Sequence, residues 1–88
     1  MNTNYRLLRN IYKSFDMNSQ SDLDEVLEYK IGKSTIDKKF AGKSEWTREQ
    51  MYQILNFFNV PKKYLADVFP EDISETPRIT VKDIYKEV

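Results

Sequence analysis

Between Lys30 and Arg48 the chain carries Lys30, Lys33, Lys38, Lys39, Lys43 and Arg48 against only Asp37 and Glu45. Lysines interleaved with Ser34, Thr35 and Ser44 are equipped to hold anions, because ammonium groups donate to phosphate oxygens and base acceptors while hydroxyls donate or accept beside them. They are poorly equipped to break bonds. The sequence has neither cysteine nor histidine, which removes thiolate nucleophiles, imidazole bases, disulfides and the commonest zinc ligands together. Carboxylate pairs such as Asp22 and Glu25 are present, but at a helix start they serve the macrodipole. Gly32-Lys33-Ser34 has the end of a phosphate-binding loop without its earlier glycine. The expectation is a protein that is not an enzyme and needs no metal or cofactor.

The 14 basic and 14 acidic residues cancel, so affinity for nucleic acid has to come from their distribution. Asp16, Asp22, Asp24, Glu25 and Glu28 precede the basic stretch, and Asp67, Glu71, Asp72 and Glu75 follow it. A neutral molecule with a local basic face results. Taken alone, that face fits a solvated helix surface as well as a binding site.

The elements that position these side chains follow from the apolar spacing. Leu8, Ile11, Tyr12 and Phe15 predict a helix over 4–14. Ser21, followed by Asp22, Asp24 and Glu25, predicts a second helix fading near Tyr29 or Lys30, with Leu23, Val26 and Leu27 inside. After Ile31-Gly32 a third helix runs from Lys33 to Ala41, anchored only by Ile36 and Phe40, and Gly42 supplies a left-handed stop. Thr47-x-x-Gln50 is a capping box for a fourth helix buried through Met51, Ile54, Leu55 and Phe58. Pro61 opens a fifth, with Leu65, Val68 and Phe69 inward. Tyr52 and Phe57 lie off the fourth helix's stripe and fit a dimer or partner surface.

The expected fold is therefore all-α, a five-helix bundle with a short C-terminal extension. The polar stretch Glu71-Asp72-Ile73-Ser74-Glu75-Thr76-Pro77 reads as an exposed linker, which divides the chain into a domain over 1–70 and a linker with tail over 71–88. Val81, Ile84, Tyr85 and Val88 fit a short docking helix capped by Thr80 and Asp83, although Arg78-Ile79-Thr80-Val81 equally fits a strand. The polar start, Met1-Asn2-Thr3-Asn4, is unlike a signal peptide, and no apolar run reaches the roughly 20 residues that span a bilayer. A soluble cytoplasmic protein is expected.

Two helices joined by a short turn, the second polar and basic outside, make a reader of the DNA major groove. Lys33, Ser34 and Lys38 point away from Ile36 and Phe40 and are assigned to base edges, with Thr35 at the border of that face and Asp37 as an acceptor or a partner for lysine. Lys39, Lys43, Ser44 and Arg48 are assigned to the phosphate backbone, as are Gln20 and Ser21 at the start of the second helix.

The run Ser34-Thr35-Ile36-Asp37-Lys38-Lys39-Phe40-Ala41-Gly42-Lys43-Ser44-Glu45-Trp46, followed by Met51, Ile54, Leu55, Phe58 and Asn59-Val60-Pro61, resembles the Cro and cI-type repressor superfamily. It is most similar to small Cro-like proteins of phages and prophages of Gram-positive bacteria. The likeness covers roughly residues 5–69 and departs where Val26 and Lys30 stand near the positions of the family's usual Ala and turn Gly. It implies a lambda-repressor-like helix-turn-helix bundle and a transcriptional regulator that inserts helix 33–41 into an operator on double-stranded DNA. A single recognition helix buries little, so a homodimer on a pseudo-palindromic operator is expected. The rival expectation is a phage antirepressor or adaptor that uses the same scaffold to bind a phage or host regulatory protein. Its basis is the zero net charge and the apolar tail.

Overall fold

Leu7, Leu8, Ile11 and Tyr12 share one side of a helix, and burying all four fixes α1 (Arg6–Ser14) in the computed structural model, which describes residues 4–86. A 3₁₀ segment (Gln20–Glu25) follows, then α2 (Lys33–Phe40) and α3 (Arg48–Phe57). A 3₁₀ turn (Lys62–Tyr64) runs directly into α4 (Leu65–Val68), and α5 (Val81–Tyr85) comes last. The chain is all-α, with no strand among the described residues. No helix among them is long and apolar enough to cross a membrane.

One core joins every element. Leu8, Ile11, Leu23, Ile36, Phe40, Ile54, Phe58 and Val68 are fully enclosed, and Trp46, Val60 and Ile84 lie against them. Aromatic edges lock the centre, with Phe40 meeting Tyr5, Tyr12 and Trp46 edge-on at centroid distances of 5.4, 6.4 and 5.9 Å. Such pairs add about 0.5–1.5 kcal/mol each beyond area burial.

Three helices stop by one device. After α1, Met17 N donates to Tyr12 O and Asp16 N to Lys13 O, with Asp16 at φ 62°. After α2, Lys43 N donates to Lys38 O and Gly42 N to Lys39 O, with Gly42 at φ 81°. After α3, Val60 N donates to Leu55 O and Asn59 N to Asn56 O, with Asn59 at φ 56°. Each is a paired six-to-one and five-to-two closure around a left-handed residue, and Gly, Asn and Asp are the types that adopt that conformation most readily. Gly42 behaves as its position in the sequence predicts. Thr47 and Gln50 form the expected capping box, Gln50 N donating to Thr47 Oγ1 and Thr47 N to Gln50 Oε1.

The second helix differs from expectation. Ser19, not Ser21, caps it, boxed with Asp22, and the segment is a 3₁₀ turn that ends at Glu25 with Val26 as its C-cap. Asp24 is the reason: its carboxylate accepts from Ile31 N at 2.7 Å and Gly32 N at 3.2 Å, which folds 26–32 back on the segment. Glu28 N is in turn taken by Gln53 Oε1 of α3. An uninterrupted helix to Lys30 would need the Glu28 amide for its own ladder, and would carry Ile31 and Gly32 out of reach of Asp24. Smaller corrections apply at the ends. α1 begins at Arg6 rather than Asn4, Ala41 caps α2, and Pro61 sits before the 3₁₀ turn rather than within it. Phe15, assigned to the α1 stripe, lies past the last turn and is 42% exposed.

The tail is helical, capped by Thr80 with Asp83 as predicted, and the strand alternative is not adopted. It belongs to the common core: Ile84 is buried, and Tyr85 Oη donates to Phe58 O at 2.6 Å. Segment 71–77 is exposed at most positions, yet Ile73 O accepts from Tyr5 N at 2.8 Å. Val88 lies outside the described residues.

Candidate nucleic-acid interface

An eight-residue helix has no stability of its own in water, so the position of α2 depends on its attachments. Ile36 and Phe40 enter the core from one side. Asp24 clamps the two residues before its first turn. In its middle, Gln20 Nε2 donates to Asp37 Oδ1 at 2.7 Å, joining it to the 3₁₀ segment on which it chiefly packs. At its end Asn4 Nδ2 donates to Phe40 O, and Arg9 lies over the Phe40 ring at 4.7 Å.

The opposite side is open. Lys33, Ser34 and Lys38 are exposed, Thr35 and Asp37 are half-buried at its border, and Lys43 is exposed just past the turn. Lys33, Ser34, Asp37, Lys38, Ala41 and Lys43 line one shallow depression. All five residues assigned to base edges thus lie on α2, and four of them border the same concavity with Lys43.

The residues assigned to phosphate divide. Lys43 and Arg48 are exposed and Ser44 is half-buried. Gln20 is half-buried, its amide committed to Asp37, and the Ser21 hydroxyl bonds Ser19 Oγ at 2.8 Å. Lys39 requires correction. It is only 5% exposed, its ammonium donates to Glu45 O at 2.6 Å, and it sits 5.4 Å from the centroid of the Trp46 ring. Burial pushes that ammonium below the ordinary lysine value. Lys39 holds the turn after α2 from beneath and presents no charge to the face. The signal was in the sequence, since Ile36, Lys39 and Phe40 fall at i, i+3 and i+4 and so share the buried stripe.

Two features had no sequence signature. Asp24 reads as one of several acids at a helix start, yet it closes a loop seven and eight residues away. Gln53 reads as an exposed α3 position, yet it anchors the same loop. Among the described residues no group of three or more Asp, Glu, His or Cys side chains converges to hold a metal ion.

The exposed apolar groups lie elsewhere. Phe57 is 51% exposed and meets Phe58 edge-on at 5.0 Å; Phe15 meets Phe58 edge-on at 4.9 Å and Tyr85 at 6.1 Å. Tyr52 is half-buried, with the Lys62 ammonium 4.9 Å from its ring centroid. No protein-family model, curated protein or solved structure matches the chain.

Proposed function

We propose that this chain is a sequence-specific DNA-binding transcriptional regulator of the Cro-like phage or prophage type, acting as a repressor that places α2 in the major groove of an operator. The observation that carries the reading is the division of α2 into a side buried through Ile36 and Phe40 and a free side where Lys33, Ser34 and Lys38 surround one depression with Lys43. A groove about 12 Å wide admits one helix, and lysine donates to guanine acceptors while serine adapts to either edge. Asp37, oriented by Gln20, is placed to accept from cytosine or to offset a neighbouring lysine. Lys43, Ser44 and Arg48 fix register on the backbone, with Gln20 and Ser21 at its far margin. The helix-turn-helix bundle belongs to this reading, as does a cytoplasmic location beside the DNA. So does pairing of two protomers on a pseudo-palindromic operator.

Fluorescence anisotropy with phage operator-region duplexes at two salt concentrations tests it. Lys33, Lys38, Lys43 and Arg48 together predict that log affinity falls with log salt at a slope of about −3 to −4. Lys38→Ala should relax discrimination among sequences, whereas Lys43→Ala should weaken all of them alike. Absence of binding at low salt refutes the proposal.

A second reading has its own observation. The Phe15 and Phe57 rings, both exposed and both packed edge-on against Phe58, favour a protein partner, as in an antirepressor or adaptor. Replacing both by serine would abolish partner capture under that reading and leave DNA binding by a monomer unchanged under the first.

A further inference from the structure

We infer that the loop 26–32 is a second DNA-contacting element, in which the Tyr29 ring and hydroxyl and the Lys30 ammonium grip the sugar-phosphate backbone on one wall of the groove that α2 enters. The inference rests on the DNA-binding reading and adds a contact that the charge pattern does not reveal.

The loop is anchored at several points. Leu27 is buried in the core, Glu28 N donates to Gln53 Oε1 at 3.0 Å, and Ile31 N and Gly32 N both donate to the Asp24 carboxylate. The apex of this fixed loop is the most exposed large hydrophobic side chain among the described residues: Tyr29 is 74% exposed. An aromatic ring on a rigid loop offers a large contact area with little conformational freedom to lose on binding.

Position identifies the partner. Tyr29 lies four residues before Lys33, a span of at most about 14 Å, and the major groove is about 12 Å wide. With the first turn of α2 in the groove, a loop this close along the chain is within reach of the bordering strand. There a tyrosine hydroxyl donates to a phosphate oxygen and its ring covers a sugar. Lys30 bonds Glu25 at 3.3 Å with both side chains largely exposed, an ion pair that exchanges for phosphate at little cost. Asp24, Glu25 and Glu28 are the acids beside the loop, Asp24 turned to the amides of Ile31 and Gly32 and Glu25 to Lys30; Glu28 limits the approach, so Glu28→Gln should tighten binding about two- to threefold through relieved repulsion.

Chemical footprinting with a random-sequence DNA duplex at low salt tests the inference, reading tyrosine nitration and lysine acetylation by mass spectrometry. The duplex should slow nitration of Tyr29 several-fold and leave half-buried Tyr52 and Tyr64 unchanged, while acetylation of Lys33, Lys38 and Lys43 also slows. Tyr29→Phe, at a site too exposed to disturb folding, should weaken binding about fivefold, the worth of one hydrogen bond, equally for all sequences. Protected lysines with an unprotected Tyr29 would overturn the loop contact and leave the α2 reading standing. If neither is protected, the DNA-binding reading fails and the loop contact fails with it.

Discussion

Gly42→Ala is the substitution whose cost can be worked most directly from the geometry around α2. Gly42 has φ 81°, a left-handed conformation that costs an L-residue about 1–2 kcal/mol. A β-carbon there would stand 2.8 Å from Ile73 Cδ1. Moving the end of that side chain off its rotamer costs a further 0.5–1.5 kcal/mol or so. The expected loss is roughly 2 kcal/mol, equivalent to a fall in Tm of roughly 8–16 °C for a domain of this size. Urea unfolding and thermal melts followed by far-ultraviolet circular dichroism measure both. Ile73→Val removes the atom in the way, so in that background Gly42→Ala should cost only the backbone part, about 1 kcal/mol. The closure also sets where Lys43 stands relative to Lys38, so under the proposed function DNA affinity at a temperature where the variant is folded should drop as well. A neutral Gly42→Ala, or a cost unchanged by Ile73→Val, would refute the assignment of strain to this turn.

Asp24→Ala leaves the amides of Ile31 and Gly32 without their acceptor and should destabilise by about 1–3 kcal/mol, with hydrogen exchange rising first in 26–32. Lys39→Met keeps the buried stem and removes the ammonium, so it should change stability by less than about 1.5 kcal/mol and, under the proposed function, cost less DNA affinity than Lys38→Ala. Tyr85→Phe removes the bond to Phe58 O and should cost about 1 kcal/mol. Burial holds the hydroxyls of Tyr5 and Tyr85 above their ordinary value of 10.0, with Glu45 adding to the effect at Tyr5. The unfolded chain therefore ionises first as pH rises. Their contribution is complete below pH 10 and is lost through the folded values, so the alkaline decline in stability should be shallower in Tyr85→Phe.

Helix positions were legible wherever packing period and end chemistry agreed. Leu8, Ile11 and Tyr12 mark α1, the Thr47 and Gln50 box marks the start of α3, and Gly42 marks the stop of α2, because each signal is local. The segment after Asp16 was illegible for the opposite reason. Ser21, Asp22 and Glu25 have helix-start chemistry, but the outcome is set by Asp24 and Gln53 bonding backbone far along the chain, and no propensity encodes such partners. The tail shows the same division. Thr80 and Asp83 announced its helix, whereas the burial of Ile84 with Phe58 and the seat of Ile73 against Gly42 depend on the whole fold. On the candidate face, side-chain direction is readable for Lys33, Ser34 and Lys38, whereas the charge of Lys39 points outward and its place on the stripe with Ile36 and Phe40 points inward, and the stripe wins.

The face on α2 is held more by polar attachments than by area. Ile36 and Phe40 alone would leave an eight-residue helix free to pivot about two anchors, since a contact of that kind restrains translation better than rotation. Further restraints act at three levels: the Asp24 carboxylate before the first turn, the Gln20 bond to Asp37 in the middle, and at the end the Asn4 bond to Phe40 O and the paired closure at Gly42 with Lys39 beneath it. Restraint at the beginning, middle and end fixes direction and rotation of the helix together, so the backbone that carries Lys33, Ser34 and Lys38 is set before any partner arrives. A surface ordered in advance loses little freedom when it docks. Under the proposed function, that offsets part of the handicap of a small helix on a molecule with no net charge, for which long-range attraction to DNA would be weak and short-range fit would have to supply the affinity.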